Sequence, residues 1–187
     1  MCYNSITKRK EEKEMIAKTC IHPIKANKII KAFIEEVLNP SAFIEIKHLV
    51  ASPLMYYAIY GDIDDDEIAV YVPNWKIANY NNDFGGKCFR KDFVNRCPMA
   101  KGFSDVTISL LHEIGHPITR DTLPQDYCRW EECDKVNEIE NTTERVFAYF
   151  KMLDETLATD WAIDWLKDAE HRKMAKAFEK KFFTCFK

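Results

Sequence analysis

Ile108-Ser-Leu-Leu-His-Glu-Ile-Gly-His-Pro117 places His112, Glu113 and His116 in the spacing H-E-x-x-H. On a helix, residues four apart share a face, so both imidazoles can reach one metal ion. Glu113 is rotated toward the open side, where a carboxylate can hold a water and take its proton. Zinc suits this donor set, because it accepts neutral imidazole nitrogen and in catalytic sites keeps one tetrahedral position open. Ser104 and Asp105 read as a helix start, and Val106, Leu110 and Ile114 recur at core spacing. The plain alternative is an amphipathic helix whose histidines are polar surface.

Two histidines need a third protein ligand. The other histidines are His22, His48 and His171, and Thr at positions 119 and 122 breaks the longer histidine pattern of metzincins. A carboxylate from a later helix is the other common solution. Residues 153–166 offer Glu155, with Ala158 and Ala162 on its side of the helix at the next two turns. Small residues there would let that helix approach the histidine helix closely. Asp154, Asp160 and His171 are the rival third ligands, and Asp160 is also a candidate to orient a histidine N–H from behind. Tyr149, Tyr127 and His171 are candidate donors to a developing oxyanion.

H-E-I-G-H followed by E-x-x-A-x-D-W-A resembles the gluzincin-type metallopeptidases of the ImmA/IrrE group, common in phages and mobile elements. Those pair H-E-x-x-H with a downstream E-x-x-A-N-x-F-A segment. The shared positions are His112, Glu113, Gly115 and His116, then Glu155, Ala158, Trp161 in place of Phe, and Ala162. The resemblance implies a zinc metallopeptidase with His112, His116 and Glu155 as ligands and Glu113 as general base. It implies a peptide or protein substrate, by analogy a transcriptional repressor, presented along an edge strand upstream of the histidine helix. Two positions depart from the pattern. Thr159 stands where Asn is usual, and Pro117 directly follows the second histidine, predicting that the helix ends or kinks at His116. The competing functions are a proteolytically silent zinc-binding regulatory or interaction module, and a zinc amidohydrolase acting on a non-peptide amide.

The rest of the chain sets the frame. Its 187 residues suit one domain over 21–187 behind an N-terminal arm, 1–20, that opens on a charged run. A net charge of −3 carries no general nucleic-acid signature, and no apolar run approaches membrane-spanning length. The first residues lack the apolar stretch of an export signal, which predicts a cytoplasmic protein whose seven cysteines are reduced thiols. A helix is expected over 25–38, with Ile29, Ile30, Phe33, Ile34 and Val37 as its apolar stripe.

Strands are expected near 43–50, 55–60 and 67–72, the last two joined as a hairpin by an acidic turn. Residues 75–103 read as irregular apart from a short helix near 91–95. Residues 118–141 read as a long loop, 141–166 as one helix, and 168–186 as a basic helix with Met174, Phe178 and Phe182 on one side. The fold class so predicted is α+β, a zincin-like domain with a small antiparallel or mixed sheet packed on the histidine helix and a C-terminal Glu-bearing helix.

Overall fold

A computed structural model describes residues 21–38, 58–62, 67–71 and 84–186. Seven helices appear in it: α1 Pro23–Leu38, α2 Phe84–Arg96, α3 Asp105–Thr119, α4 Arg129–Asn137, α5 Thr142–Tyr149, α6 Leu153–Lys167 and α7 Ala169–Phe182. Short 3-10 turns link or extend them at Pro98–Gly102, Arg120–Thr122 and Phe183–Cys185. Two strands, β1 Ala58–Asp62 and β2 Glu67–Tyr71, pair antiparallel with Ala58 opposite Tyr71 and Asp62 opposite Glu67.

This corrects the expected class. The described residues are mainly helical, and the sheet that was to organise an α+β zincin-like domain is reduced among them to this one hairpin. The strand expected near 43–50 and the arm 1–20 lie outside the described residues. No described helix is long and apolar enough to cross a membrane.

The central element is α3. Ser104 caps it by accepting the Thr107 backbone N–H at 3.3 Å, and Asp105 adds negative charge to the first turn. From Val106 to Leu111 every residue is buried, as are His112, Ile114, Gly115 and His116, so the helix runs through the interior instead of lying on its surface. It packs chiefly on α6, with β1 beside it. Glu179 of α7 ties its start down, accepting from the Ser104 backbone N–H at 2.5 Å and from the Thr107 hydroxyl at 2.8 Å.

An aromatic cluster closes the α1–α7 side. Phe33 stacks on Phe178 with centroids 4.4 Å apart and meets Trp165 edge-on at 6.2 Å. Phe182 and Phe186 continue it at 4.9 Å.

Four local expectations also change. The irregular stretch is largely α2, whose Phe89 and Phe93, with Cys97 just past its end, are buried at the four-residue spacing of one helix face. The expected long loop contains α4. The single helix over 141–166 is two helices, because Met152 takes an extended ψ of 148° between α5 and α6. Finally, α3 does not stop at His116 but continues through Pro117 to Thr119. The Thr119 hydroxyl donates to the Gly115 carbonyl at 2.9 Å, supporting the turn that proline disturbs.

Candidate metal centre

Helices α3 and α6 can meet because neither has a side chain in the way. A Cβ added at Gly115 would lie 2.5 Å from the Ala158 carbonyl oxygen and 2.8 Å from its Cα. Ala158 and Ala162 are completely buried at this contact. The close approach brings His112 and His116 on α3 opposite Glu155 in the first turn of α6, where a carboxylate also faces the positive end of the helix dipole.

His112 Nε2 lies 3.0 Å from Glu155 Oε2, and His116 Nε2 lies 3.8 Å from Glu155 Oε1. One ligand atom from each residue falls within 4.8 Å of the others, and all three residues are buried. Among the described residues this is the one such group of histidine, cysteine or acidic side chains. Tetrahedral zinc with bonds near 2.05 Å holds its donors about 3.3 Å apart, a spacing between the 3.0 Å from His112 to Glu155 and the 4.8 Å outer limit of the group. The His116 Nδ1 atom is buried without a hydrogen-bond partner. The nitrogen directed at Glu155 is the other one, Nε2, and on a neutral ring it can offer a lone pair there. Three converging buried donors, one of them a neutral imidazole, fit a bound divalent cation.

The electrostatics of the metal-free cluster are uneven. Burial pushes the His112 imidazole down, but the hydrogen bond and charge of Glu155 outweigh it and raise the pKa above its ordinary value. His116 is lowered to about 3 by burial, by His112 and by Arg129, against the pull of Glu155, so it is neutral at pH 7 with a lone pair to give. Burial alone would raise the Glu155 pKa, yet the His112 hydrogen bond and the surrounding positive charges bring it down to about 2. Glu113 Oε2 lies 4.0 Å from His116 Nε2, and the Glu113 side chain keeps 15% exposure, against 2% for His116. The expected base therefore borders the cluster on its more open side.

The other expected residues divide. His112 Nδ1 is met by the Thr159 hydroxyl at 3.1 Å, not by Asp160. Asp160 instead pairs with Arg96 and is about half exposed, which removes it as a ligand and as the residue behind a histidine. Its position explains this, since it lies five residues from Glu155 and so about 140° around the helix, whereas Thr159 at four residues shares the Glu155 face.

His171 is also removed. It stacks on Trp165 at 4.4 Å and its Nδ1 lies 3.0 Å from the Trp165 carbonyl, at the start of α7. Asp154 is buried beside the cluster but is held by Tyr127, whose hydroxyl donates to it at 2.6 Å, and by Arg129. The Tyr149 hydroxyl accepts from Arg129 Nη2 at 2.9 Å. Burial, and then the Glu155 charge, raise the Tyr149 pKa, so it stays protonated.

Sequence reasoning missed Arg129 altogether and did not give Thr159 a role. Phe89 was missed too, and its ring packs edge-on against His112 at 4.9 Å. No family model, curated protein or solved structure matches the chain.

Proposed function

We propose that the chain is a zinc-dependent metallopeptidase in which His112, His116 and Glu155 hold the metal and Glu113 is the general base. The observation that carries this reading is the convergence of two buried imidazoles and a buried carboxylate from α3 and α6, with Glu113 beside them. The resemblance to ImmA/IrrE-type peptidases supports the same four assignments and suggests a peptide or protein substrate, with a transcriptional repressor as the analogous case. Zinc, when bound, supplies Lewis acidity toward a carbonyl and a water that ionises near neutral pH.

The chain's own residues do the rest. Neutral His116 offers its lone pair directly, while His112 releases the proton it shares with Glu155 and keeps its Nδ1–H on Thr159. Glu113 takes the proton of the attacking water and returns it to the leaving amine. Tyr149, protonated and in reach of both Glu155 and Arg129, is the expected donor to the oxyanion.

The test is metal content and cleavage of a candidate protein by wild type, Glu155→Ala and Glu113→Gln. About one zinc per chain is expected in wild type, with a sharp loss in Glu155→Ala. Glu113→Gln should keep zinc and lose cleavage. Cleavage surviving in Glu113→Gln would refute its role as base, and a wild-type chain that takes no zinc on reconstitution would overturn the reading. Zinc bound without turnover of any peptide would instead make the chain a silent metal-binding module.

A further inference from the structure

We infer that Arg129 is a positioning residue that makes Glu155 a one-oxygen ligand and keeps the neighbouring Asp154 out of the metal's coordination shell. This rests on the metal-centre reading above. Arg129 is the first residue of α4, and its guanidinium spans both buried carboxylates at the start of α6. Nη1 is bonded to Asp154 Oδ2, while Nη2 donates to Glu155 Oε1 at 2.9 Å and to the Tyr149 hydroxyl at 2.9 Å. The remaining Asp154 oxygen, Oδ1, accepts from Tyr127 at 2.6 Å. Of the four carboxylate oxygens in this acidic pair, only Glu155 Oε2 is left to His112, at 3.0 Å.

Glu155 Oε1 lies 3.8 Å from His116 Nε2, near enough to join the same metal as a second oxygen if the guanidinium did not hold it. Asp154 is 1% exposed and would otherwise be an uncompensated buried charge beside Glu155. A guanidinium is suited to this task because its planar fork reaches two carboxylates at once, which a lysine ammonium cannot do with the same geometry. The result is a centre restricted to three protein donors and an open place, a coordination number that favours zinc over cations that collect many oxygens.

The experiment uses zinc and cobalt(II) as probes of the full chain, with Arg129→Met and Arg129→Lys beside wild type and folding checked by circular dichroism. Wild type should take up one cobalt ion with the intense visible bands of four-coordination. Arg129→Met should show the weak bands of a higher coordination number and bind zinc about 10–100-fold more weakly. Arg129→Lys, which restores charge but not the fork, should recover neither. Should Arg129→Met fail to fold, Arg129→Lys decides on the same two readouts. Wild-type bands and wild-type zinc affinity in the folded variants overturn the inference while leaving the metal centre intact. A wild-type chain that binds neither metal overturns the metal-centre reading itself.

Discussion

The α1–α7 corner and the α3–α6 seam are both buried, but they are made of opposite materials. The corner is hydrocarbon: Phe33, Phe178, Phe182 and Phe186 interlock, with Trp165 closing one side. The seam packs equally deep yet holds His112, His116, Asp154, Glu155 and Thr159, all less than a tenth exposed. Burial of rings in the corner is favourable in itself, at about 1.5–3 kcal/mol for each large apolar side chain. Burial of carboxylates and imidazoles is costly unless every charge finds a partner. Ionisable groups buried where leucine would be more stable set the seam apart from the corner, and they include the three side chains that could hold a metal ion.

The largest effect should come from cutting the corner. Phe182→Ala removes a completely buried ring and should lower stability by about 4 kcal/mol in urea denaturation, while the folded variant should bind zinc as the wild type does. Metal loss in that variant would mean that the two regions are not separable.

Gly115→Ala tests the seam. Overpacking against the Ala158 backbone should cost about 3 kcal/mol, partly offset by about 1 kcal/mol of better helix propensity, for a net loss of about 2 kcal/mol. Here metal binding should fall as well, because the helices must separate. A variant that keeps full metal affinity would break the claim that the close approach sets the site.

A third test is pH. In the metal-free protein the raised His112 pKa means that its pairing with Glu155 stabilises the fold below histidine's ordinary range, a contribution lost as pH rises through the raised value. With His112 as a ligand, as proposed, zinc would compete for that same nitrogen. Apparent zinc affinity should therefore fall about tenfold for each pH unit below the raised value, about 1.4 kcal/mol, as seen in chelator competition. An affinity that is flat with pH would show that His112 is not a ligand.

The smallest effect is expected away from both regions. Asn141 caps α5 by accepting from the backbone N–H of Thr143 at 2.9 Å and of Glu144 at 3.2 Å. Asn141→Ala should cost about 1 kcal/mol in stability and leave metal content unchanged.

What could be read from the sequence follows the same division. His112, Glu113 and His116 stand out because helical periodicity fixes their relative directions within one short segment. Glu155 was reachable for a related reason, since Ala158 and Ala162 show which face of α6 must come close to a neighbour. The angular argument also separates Thr159 from Asp160, and applying it would have chosen the threonine. The spacing of Phe89, Phe93 and Cys97 fits α2 too, but the sequence alone predicts only a short helix near 91–95, because Gly85 and Gly86 suggest a loop.

Arg129 had no such signal. Its bonds to Asp154 and Glu155 depend on the first residue of α4 coming beside the start of α6, and nothing local to Arg129 encodes that contact. The break at Met152 is similar, because no glycine or proline announces it and the packing of Phe150 on Phe89, at 5.4 Å, accompanies it. Among the described residues the sheet is smaller than expected, because alternating apolar residues suggest strands without stating how many neighbours each strand will find.

The bare contact between Gly115 and Ala158 has one more consequence. Where side chains separate two helices, a rotamer change or a single mutation can adjust their spacing by fractions of an ångström. Here backbone rests on backbone, so the contact works like the fixed jaw of a caliper. A cation gripped between α3 and α6 meets anchor points that do not shift to suit its radius, and only the torsions of two imidazoles and one carboxylate remain to take up the difference.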